Sequence, residues 1–308
     1  MRDDLKAKLD KQQYKMAGRH GAVKLCHWLG QSLLKGRHCY KQEFYGIGSH
    51  RCLQMTPVVH DCTHDCIFCW RIRGFEDGAK DYDEPKAMLD ELLRQQKLLI
   101  SGYPGDGRCD LAKFKEALEP KHVAISLAGE PTLYPHLGAF IEECHRRGMT
   151  TFLVTNGTIP EALENLDPLP SQLYVTVAAP NEQIYKDVCQ PRIPDGWQKI
   201  RKSLELLPSL STRTVIRHTL VQQKNLGWEK EYAALDRMAD PTFIEPKGFV
   251  FVGASRNVLS IDNMPSHATV TEFGRKLGEE LGLALLKEKA DSRVVLLGEK
   301  GARTELSF

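Results

Sequence analysis

The feature that most constrains the fold of this chain is a series of six short apolar runs rich in β-forming residues. The runs occupy residues 53–59, 122–128, 150–156, 172–178, 213–221 and 243–253. Helix-forming patterns lie between them, at residues 86–99, 136–147, 160–166, 196–206 and 229–239. Since a crossover between parallel strands is usually a helix, this alternation predicts a parallel sheet covered by helices. We expect an α/β fold closed or partly closed into a barrel, with a flat doubly wound sheet as the alternative.

Further elements are predicted on both sides of the barrel. Residues 3–35 indicate two helices, the second ending near Gly36. Residues 269–283 indicate another helix, and residues 293–298 indicate an edge strand. We therefore expect three parts, which are a basic helical segment (1–52), the barrel (53–255) and a C-terminal extension packed on it (256–308).

Hydropathy and charge limit the location and the partners. No apolar run approaches the roughly 20 residues of a membrane helix, and the N-terminus has no signal-peptide core, so we expect a cytoplasmic protein. Residues 1–60 contain eleven Lys and Arg against four Asp and Glu, a difference of +7, although the whole chain has a net charge of only +2. Such a basic segment suits a polyanion such as nucleic acid, with a solvated helical surface as the alternative.

Polar motifs follow the first four predicted strands, at the end where barrel enzymes place their chemistry. They are Cys62, Cys66 and Cys69, then "AGEPT" (128–132), "TNG" (155–157) and "AAPN" (178–181). The chain has nine cysteines, and clustered thiols in a reducing compartment are typical of metal or redox sites. Zinc could use these three thiolates with His60 or His64 as a fourth ligand. An iron-sulfur cluster with three cysteines would instead keep one iron open for a substrate.

The pattern C-x3-C-x2-C, with the aromatic Phe68 before its last cysteine, resembles the motif of radical S-adenosylmethionine enzymes. The resemblance implies a partial (β/α)6 TIM-type barrel with an N-terminal helical extension and a C-terminal helix and strand. It also implies a 4Fe-4S cluster on Cys62, Cys66 and Cys69. The open iron binds the amino and carboxylate groups of S-adenosylmethionine, which is then cleaved to a 5′-deoxyadenosyl radical.

The same resemblance assigns residues to S-adenosylmethionine. Phe68 is expected near the adenine, and Gly129 and Glu130 near the methionine amino group, although Ala128 replaces the commoner glycine. The motifs "TNG" (155–157) and "TVAAP" (176–180) are expected to line the ribose, through Thr155, Asn156 and Thr176. Without the resemblance, Glu130 before Pro131 and Asn156 before Gly157 would be ordinary turn residues.

A second cysteine triplet precedes the first. Cys26, Cys39 and Cys52 have twelve residues between each neighbouring pair, and all lie in the basic segment. Buried unpaired cysteines are one interpretation. The other is a second 4Fe-4S cluster with an open iron that binds a second substrate or relays an electron.

Both triplets together, with "SLAGEPTLYP" (126–135) and "FVGASRNVLSIDNMP" (251–265), resemble the archaeal 4-demethylwyosine synthases from about Lys24 to about Leu283. This implies that N1-methylguanosine in the anticodon loop of tRNA-Phe is condensed with pyruvate to form 4-demethylwyosine. An external low-potential donor such as ferredoxin or flavodoxin is expected, and we expect a monomer. The alternatives are a radical enzyme acting on a small molecule, a glycyl-radical activase, and a zinc-dependent RNA-binding protein.

Lys41, two residues after Cys39, matches the lysine that handles pyruvate in that family. A Schiff base requires a neutral amine, so its surroundings would have to lower its pKa. An exposed lysine that binds phosphate is the alternative. A third possibility, which we favour, is that the open iron binds pyruvate while Lys41 positions it or carries protons, since two open irons then separate two substrates in one cavity.

Basic residues are expected to follow the tRNA phosphates, and a base must leave its stack to enter the barrel. The candidate contacts are Lys6, Lys8, Lys11, Lys15, Arg19, Lys24, Arg37, Lys247, Arg256 and Arg275, with Tyr14 and Trp28 as stacking or packing aromatics.

Overall fold

A computed structural model describes residues 3–72 and 81–306. Ten strands form one sheet in the order β1-β2-β3-β4-β5-β6-β7-β8-β10-β9. Their bounds are Lys15–Ala17 (β1), Gly21–Val23 (β2), Cys52–Thr56 (β3), His122–Ile125 (β4), Thr150–Thr155 (β5), Gln172–Thr176 (β6), Arg213–Leu220 (β7), Phe243–Gly248 (β8), Ala284–Lys289 (β9) and Val294–Gly298 (β10). Strands β3 to β8 are parallel, whereas β1, β2, β9 and β10 add antiparallel edges. Because the order ends in two edges, the barrel is open.

Helices connect and cover the strands. They are Asp3–Lys11 (α1), His27–Lys35 (α2), Tyr40–Tyr45 (α3), Pro85–Ile100 (α4), Leu111–Ala117 (α5), Leu137–Arg146 (α6), Pro160–Glu164 (α7), Glu182–Cys189 (α8), Gly196–Leu206 (α9), Glu229–Ala239 (α10) and His267–Leu281 (α11). None of the helices in the described part of the chain has the length and apolar character needed to cross a bilayer.

Successive side chains of a strand point to opposite faces of the sheet, so the buried strand residues form two groups. On the outer face, residues such as Leu153, Leu173 and Ile216 pack with the covering helices in the main hydrophobic core. On the inner face, Phe152 and Tyr174 belong to a separate cluster with residues of α3. Helix α3 therefore plugs the barrel interior, and it brings Lys41 with it.

The six predicted strands and the five predicted helices between them are confirmed, with ends shifted by a few residues. The end of α2 is also confirmed, since Gly36 caps it in the left-handed conformation with φ 64°. The hairpin of β1 and β2 was not predicted, because three-residue strands are too short to show a pattern. The strand predicted at residues 293–298 is confirmed as β10, but its predicted position at the edge is wrong, since β9 pairs with β10 and forms the edge itself.

Candidate active site

The loop after β3 presents Cys62, Cys66 and Cys69 at the carboxyl end of the sheet. Four backbone hydrogen bonds fix this loop to the end of α8 and the chain beyond it: Asp65 N to Cys189 O (3.1 Å) and to Gln190 O (3.0 Å), Ile67 N to Val188 O (2.9 Å) and Arg192 N to Thr63 O (2.9 Å). A fifth, from Glu130 N to Asp61 O (2.8 Å), joins it to the loop after β4. The cysteine loop is therefore held in place from two sides.

The three thiols line one cleft at the carboxyl ends of β3 to β6. The same cleft is lined by every residue that the sequence analysis assigned to the cofactor, namely Phe68, Gly129, Glu130, Thr155, Asn156 and Thr176. Leu5 and Leu9 of α1 also contribute to the lining, together with Tyr14. The folded chain thus brings together residues from six separate segments, as the strand-end argument predicted.

Gly129 allows the backbone after β4 to approach the cysteine loop closely. Its φ is +64°, and a Cβ there would lie 1.8 Å from Val58 O and 2.5 Å from Asp61 O. Any side chain would therefore collide with backbone atoms that cannot rotate away. A glycine is required here for two reasons, the left-handed conformation and the lack of space.

Glu130 is buried and connects the ends of two strands. Its carboxylate accepts hydrogen bonds from Thr132 Oγ1 (2.7 Å), Thr155 Oγ1 (2.6 Å) and Asn156 N (2.8 Å). Burial raises the pKa of this carboxyl, while the hydrogen bonds from Thr155 and Thr132 lower it. Glu130 therefore fixes the relative position of β4 and β5 while it faces the cleft.

Asn156 extends these contacts to the cysteine loop. Its Nδ2 donates to Thr63 Oγ1 (2.7 Å) and lies 3.8 Å from Cys62 Sγ, and its Oδ1 accepts from Thr158 N (3.1 Å). An N–H group directed at a ligating sulfur is one of the contacts that tune an iron-sulfur site. The sequence predicts Asn156 beside a ribose. The structure adds a contact between Asn156 and the cysteine loop that the sequence did not indicate.

The second triplet is assembled by the ends of three elements. Cys26 and Cys39 are the N-cap residues of α2 and α3, and Cys52 is the first residue of β3. Burial, and then the charge of Cys26, raise the pKa of Cys39 to about 11. Burial also raises the pKa of Cys52, to which Cys26 and Cys39 both contribute. Cys26 acts on both other thiols and Lys41 acts on all three, so the three cysteines and Lys41 lie near one another inside the chain.

The arrangement of the sulfur atoms discriminates between a single ion and a cluster. Within residues 3–72 and 81–306, neither triplet gathers its three sulfur atoms closely enough to share one ion. Ligands of a cluster bind separate irons, so they lie farther apart than the ligands of one zinc ion. Soft thiolates without oxygen ligands also suit an iron-sulfur cluster. Both triplets therefore fit a cluster better than the zinc alternative.

Lys41 extends from α3 into the barrel. Its Nζ lies 4.4 Å from the ring centroid of Phe152 and 4.5 Å from that of Tyr174. Burial, and then the charge of Arg217, lower the pKa of Lys41 from 10.5 to about 8. An amine with this pKa is partly neutral near neutral pH, which is the state that a carbonyl compound requires. The alternative of an exposed phosphate-binding lysine is wrong, because this side chain is buried.

A buried carboxylate, Glu245 of β8, organises the charges around Lys41. Arg217 Nη2 donates to it (2.8 Å), as do the hydroxyls of Tyr40 (3.1 Å), Tyr45 and Tyr174 (3.3 Å). The Arg217 guanidinium also stacks on the Tyr174 ring, with its Cζ 4.5 Å from the centroid. The cation is therefore held rigidly, close enough to lower the pKa of Lys41.

Several residues were misplaced or overlooked by the sequence analysis. Lys247 was predicted at the tRNA surface, and this is wrong, because its Nζ donates to Ser292 O (2.8 Å) and lies 5.0 Å from the Tyr40 ring centroid in the barrel. Tyr14 is a packing residue, since it is 1% exposed. Arg217 and Glu245 were overlooked, although charged residues inside apolar strands were a usable signal.

Comparisons with known proteins match nearly the whole chain. The family model described as the radical SAM superfamily matches residues 56–233, and the one described as wyosine base formation matches residues 238–299. An S-adenosyl-L-methionine-dependent tRNA 4-demethylwyosine synthase of Pyrococcus abyssi is 52% identical over 294 residues, which are 93% of this chain and 86% of that protein.

Two further matches indicate the same family. The Mus musculus S-adenosyl-L-methionine-dependent tRNA 4-demethylwyosine synthase TYW1 is 37% identical over 302 residues, which are 96% of this chain and 42% of the mouse protein. A solved structure of TYW1 with a lysine-pyruvate adduct bound has a TM-score of 0.90 at 38% identity, and covers 98% of this chain and 97% of that one.

Proposed function

Because the chain belongs to the tRNA 4-demethylwyosine synthases, within the radical S-adenosylmethionine superfamily, we propose that its cleft at the strand ends is where S-adenosylmethionine is bound and cleaved. Cys62, Cys66 and Cys69 would hold the 4Fe-4S cluster, which supplies the electron for that cleavage. The observation that carries this assignment is that all six predicted cofactor residues line one cleft with the three thiols.

The residues of the cleft have separate tasks in this proposal. Gly129 lets the chain after β4 lie against the cysteine loop, and Glu130 and Asn156 hold the ends of β4 and β5 in register with that loop. Phe68 and Thr176 lie on the lining where the adenine and ribose are expected. Enclosure by Leu5 and Leu9 keeps water away from a radical that abstracts hydrogen from any weak donor.

For the second triplet we propose a second 4Fe-4S cluster. The supporting observations are that Cys26 and Cys39 are N-cap residues, that Cys52 begins the adjoining strand β3, and that the charge of Lys41 acts on all three thiols against the effect of burial, which raises their pKa. Since the charge of Lys41 acts on all three thiols, such a cluster would lie close to this amine.

The substrates follow from the family, and their placement is part of the proposal. N1-methylguanosine of tRNA-Phe enters at the cleft, and pyruvate reacts with Lys41, whose lowered pKa suits an adduct such as the one named for the related TYW1 structure. Hydrogen abstraction from the N1-methyl group gives a methylene radical that adds to the imine carbon of the lysine-pyruvate adduct. The bond to the carboxylate carbon then breaks, and this carbon leaves as a carbon dioxide radical anion, which gives up one electron as carbon dioxide or gains one electron and a proton as formate. The exocyclic amine of the guanine displaces the amine of Lys41, and two pyruvate carbons remain in the new ring.

The surface around the cleft suits tRNA. Helix α1 places Leu5 and Leu9 toward the cleft, while Lys6, Lys8 and Lys11 are exposed on its other side. Arg19 and Arg37 pair with acidic residues, which leaves them weaker candidates for contacts with tRNA phosphates.

We further propose that the protein is a monomer in the cytoplasm and that it receives electrons from an external ferredoxin or flavodoxin.

The test is product formation from defined substrates. Reconstituted protein is mixed with S-adenosylmethionine, a reductant, fully 13C-labelled pyruvate and tRNA-Phe that contains N1-methylguanosine, and digested nucleosides are analysed by mass spectrometry. The proposal predicts a tricyclic nucleoside that retains two of the three labelled carbons. Cleavage of S-adenosylmethionine without any labelled nucleoside would instead favour the alternatives, a small-molecule substrate or a glycyl-radical protein.

A further inference from the structure

A third metal-binding arrangement overlaps the cysteine loop. His64, Cys66 and Cys189 each offer one ligand atom, and the three atoms lie within 4.8 Å of one another. Cys189 belongs to neither triplet and is the last residue of α8, and its thiol is hydrogen-bonded with that of Cys66. Two thiols and an imidazole from two separate elements therefore converge on one point inside the cleft.

The backbone holds this group together. Asp65 N donates to Cys189 O, and His64 forms a β-bridge with Pro191, so the cysteine loop and the end of α8 are attached on both sides of the three side chains. His64 Nε2 is 2.8 Å from the hydroxyl of Tyr185, also in α8. A hydrogen bond on one ring nitrogen is the usual device that orients a histidine toward a metal on the other.

Zinc is the ion that this donor set suits. It prefers thiolate and imidazole ligands in tetrahedral geometry, with bonds of about 2.3 Å to sulfur and about 2.0 Å to nitrogen. Those bonds place ligand atoms about 3.5 to 3.8 Å apart. The three atoms need to approach by roughly 1 Å at most, and a water molecule or a cleft ligand completes the fourth position.

We propose that His64, Cys66 and Cys189 form a zinc site in the cluster-free protein, and that zinc there excludes the 4Fe-4S cluster because both require Cys66. Each zinc ion that binds displaces the two thiol protons into solvent, and no electron is transferred. The zinc site itself follows from geometry alone. Only the exclusion of the cluster rests on the proposed function, through the role of Cys66.

The proposed ligands are buried, so the net charge of the zinc site matters. Cys189 is 4% exposed and His64 is 7% exposed. Two thiolates and one zinc ion together carry no net charge, so the occupied site places no uncompensated charge in this buried position. A cell that supplies zinc in excess of iron would then keep the protein without the cluster of the first triplet until the ion is removed.

Cobalt(II) is the probe, because its absorption reports tetrahedral thiolate ligation. The full-length protein without clusters is titrated anaerobically with cobalt(II). We expect one high-affinity cobalt per chain in the wild type. Since loss of even an outer contact costs 10 to 100-fold in affinity, Cys189→Ala is expected to weaken cobalt binding by more than about 100-fold.

Matched variants identify the ligands. Cys62→Ala and Cys69→Ala remove cluster ligands but leave the proposed site intact, so they should retain the cobalt spectrum. Cys144→Ala removes a buried cysteine of α6 outside the cleft and should also retain it. Retention in Cys189→Ala together with loss in Cys62→Ala would overturn the proposal and assign the ion to the first triplet.

A second readout tests the exclusion of the cluster. Stoichiometric zinc added before iron and sulfide should block assembly at the first triplet in the wild type but not in Cys189→Ala, which should still take up its full iron. Equal blocking in both proteins, or none in either, would refute the exclusion. Neither experiment uses tRNA or pyruvate, so failure here leaves the proposed function standing, and a failed product assay leaves the zinc site standing.

Discussion

Trapping of pyruvate on Lys41 is the prediction that the structure specifies most fully. The pKa of Lys41 is lowered from 10.5 to about 8, first by burial and then by Arg217. At pH 7 the neutral fraction of such an amine is about 9%, against about 0.03% for an exposed lysine, a gain of about 300-fold. Borohydride reduction of a pyruvate adduct should therefore label Lys41 far faster than any surface lysine.

The pH dependence of the labelling rate tests whether the pKa of Lys41 is lowered. As pH rises through about 8 the ammonium loses its proton, so the labelling rate should increase and then level off above that pH. A rate still increasing steeply at pH 10 would mean that the amine is not perturbed, which would refute the argument from burial and Arg217.

Two substitutions separate the candidates for the labelled amine. Lys41→Arg retains the charge but removes the nucleophile, so labelling and product formation should both disappear. Lys247 is the matched control, because burial lowers its pKa to about 8 as well, in the same barrel interior. Lys247→Met should still be labelled, and peptide mass spectrometry should place the label on Lys41. Undiminished labelling of Lys41→Arg would assign the adduct to another lysine.

Three further outcomes are expected. Gly129→Ala should abolish binding of S-adenosylmethionine, whereas Gly148→Ala, with the same φ but open space, should not, and equal binding by both variants would contradict the close approach. Glu245→Ala leaves the cation of Arg217 buried without its carboxylate, so urea unfolding should show a loss of about 3 to 5 kcal/mol, and a loss below about 1 kcal/mol would show that the network is unimportant. Lys6→Ala should reduce the slope of log affinity for tRNA against log salt by about one, and an unchanged slope would place the phosphates elsewhere.

Much of this architecture could be predicted from the sequence, because the informative patterns are local. Apolar runs of strand length, such as residues 150–156, alternate with helices, and this periodicity fixes both the sheet and its carboxyl end. Motifs that directly follow strands, such as Gly129 and Glu130, are then necessarily neighbours of the cysteine loop. The sequence alone therefore predicts which residues line the cleft.

The remaining contacts depend on register and on long-range packing. Whether Lys247 faces solvent or the barrel is decided by which alternate residues of β8 point inward, and its sequence neighbours do not determine this. The position of Cys189 beside the cysteine loop was not predicted, because α8 was not predicted and its end approaches that loop only in the folded chain. The hydrogen bonds from three tyrosines to Glu245 likewise join residues far apart in the chain.

The iron and sulfide content per chain, measured after anaerobic reconstitution, tests the central claim most directly. The account predicts about eight irons in the wild type, and about four after substitution of either triplet, Cys26/Cys39/Cys52 or Cys62/Cys66/Cys69, by alanine. A control with alanine at Cys109 and Cys144, which lie outside both triplets, should retain about eight irons. About four irons in the wild type, unchanged when Cys26, Cys39 and Cys52 are replaced, would contradict the two-cluster site.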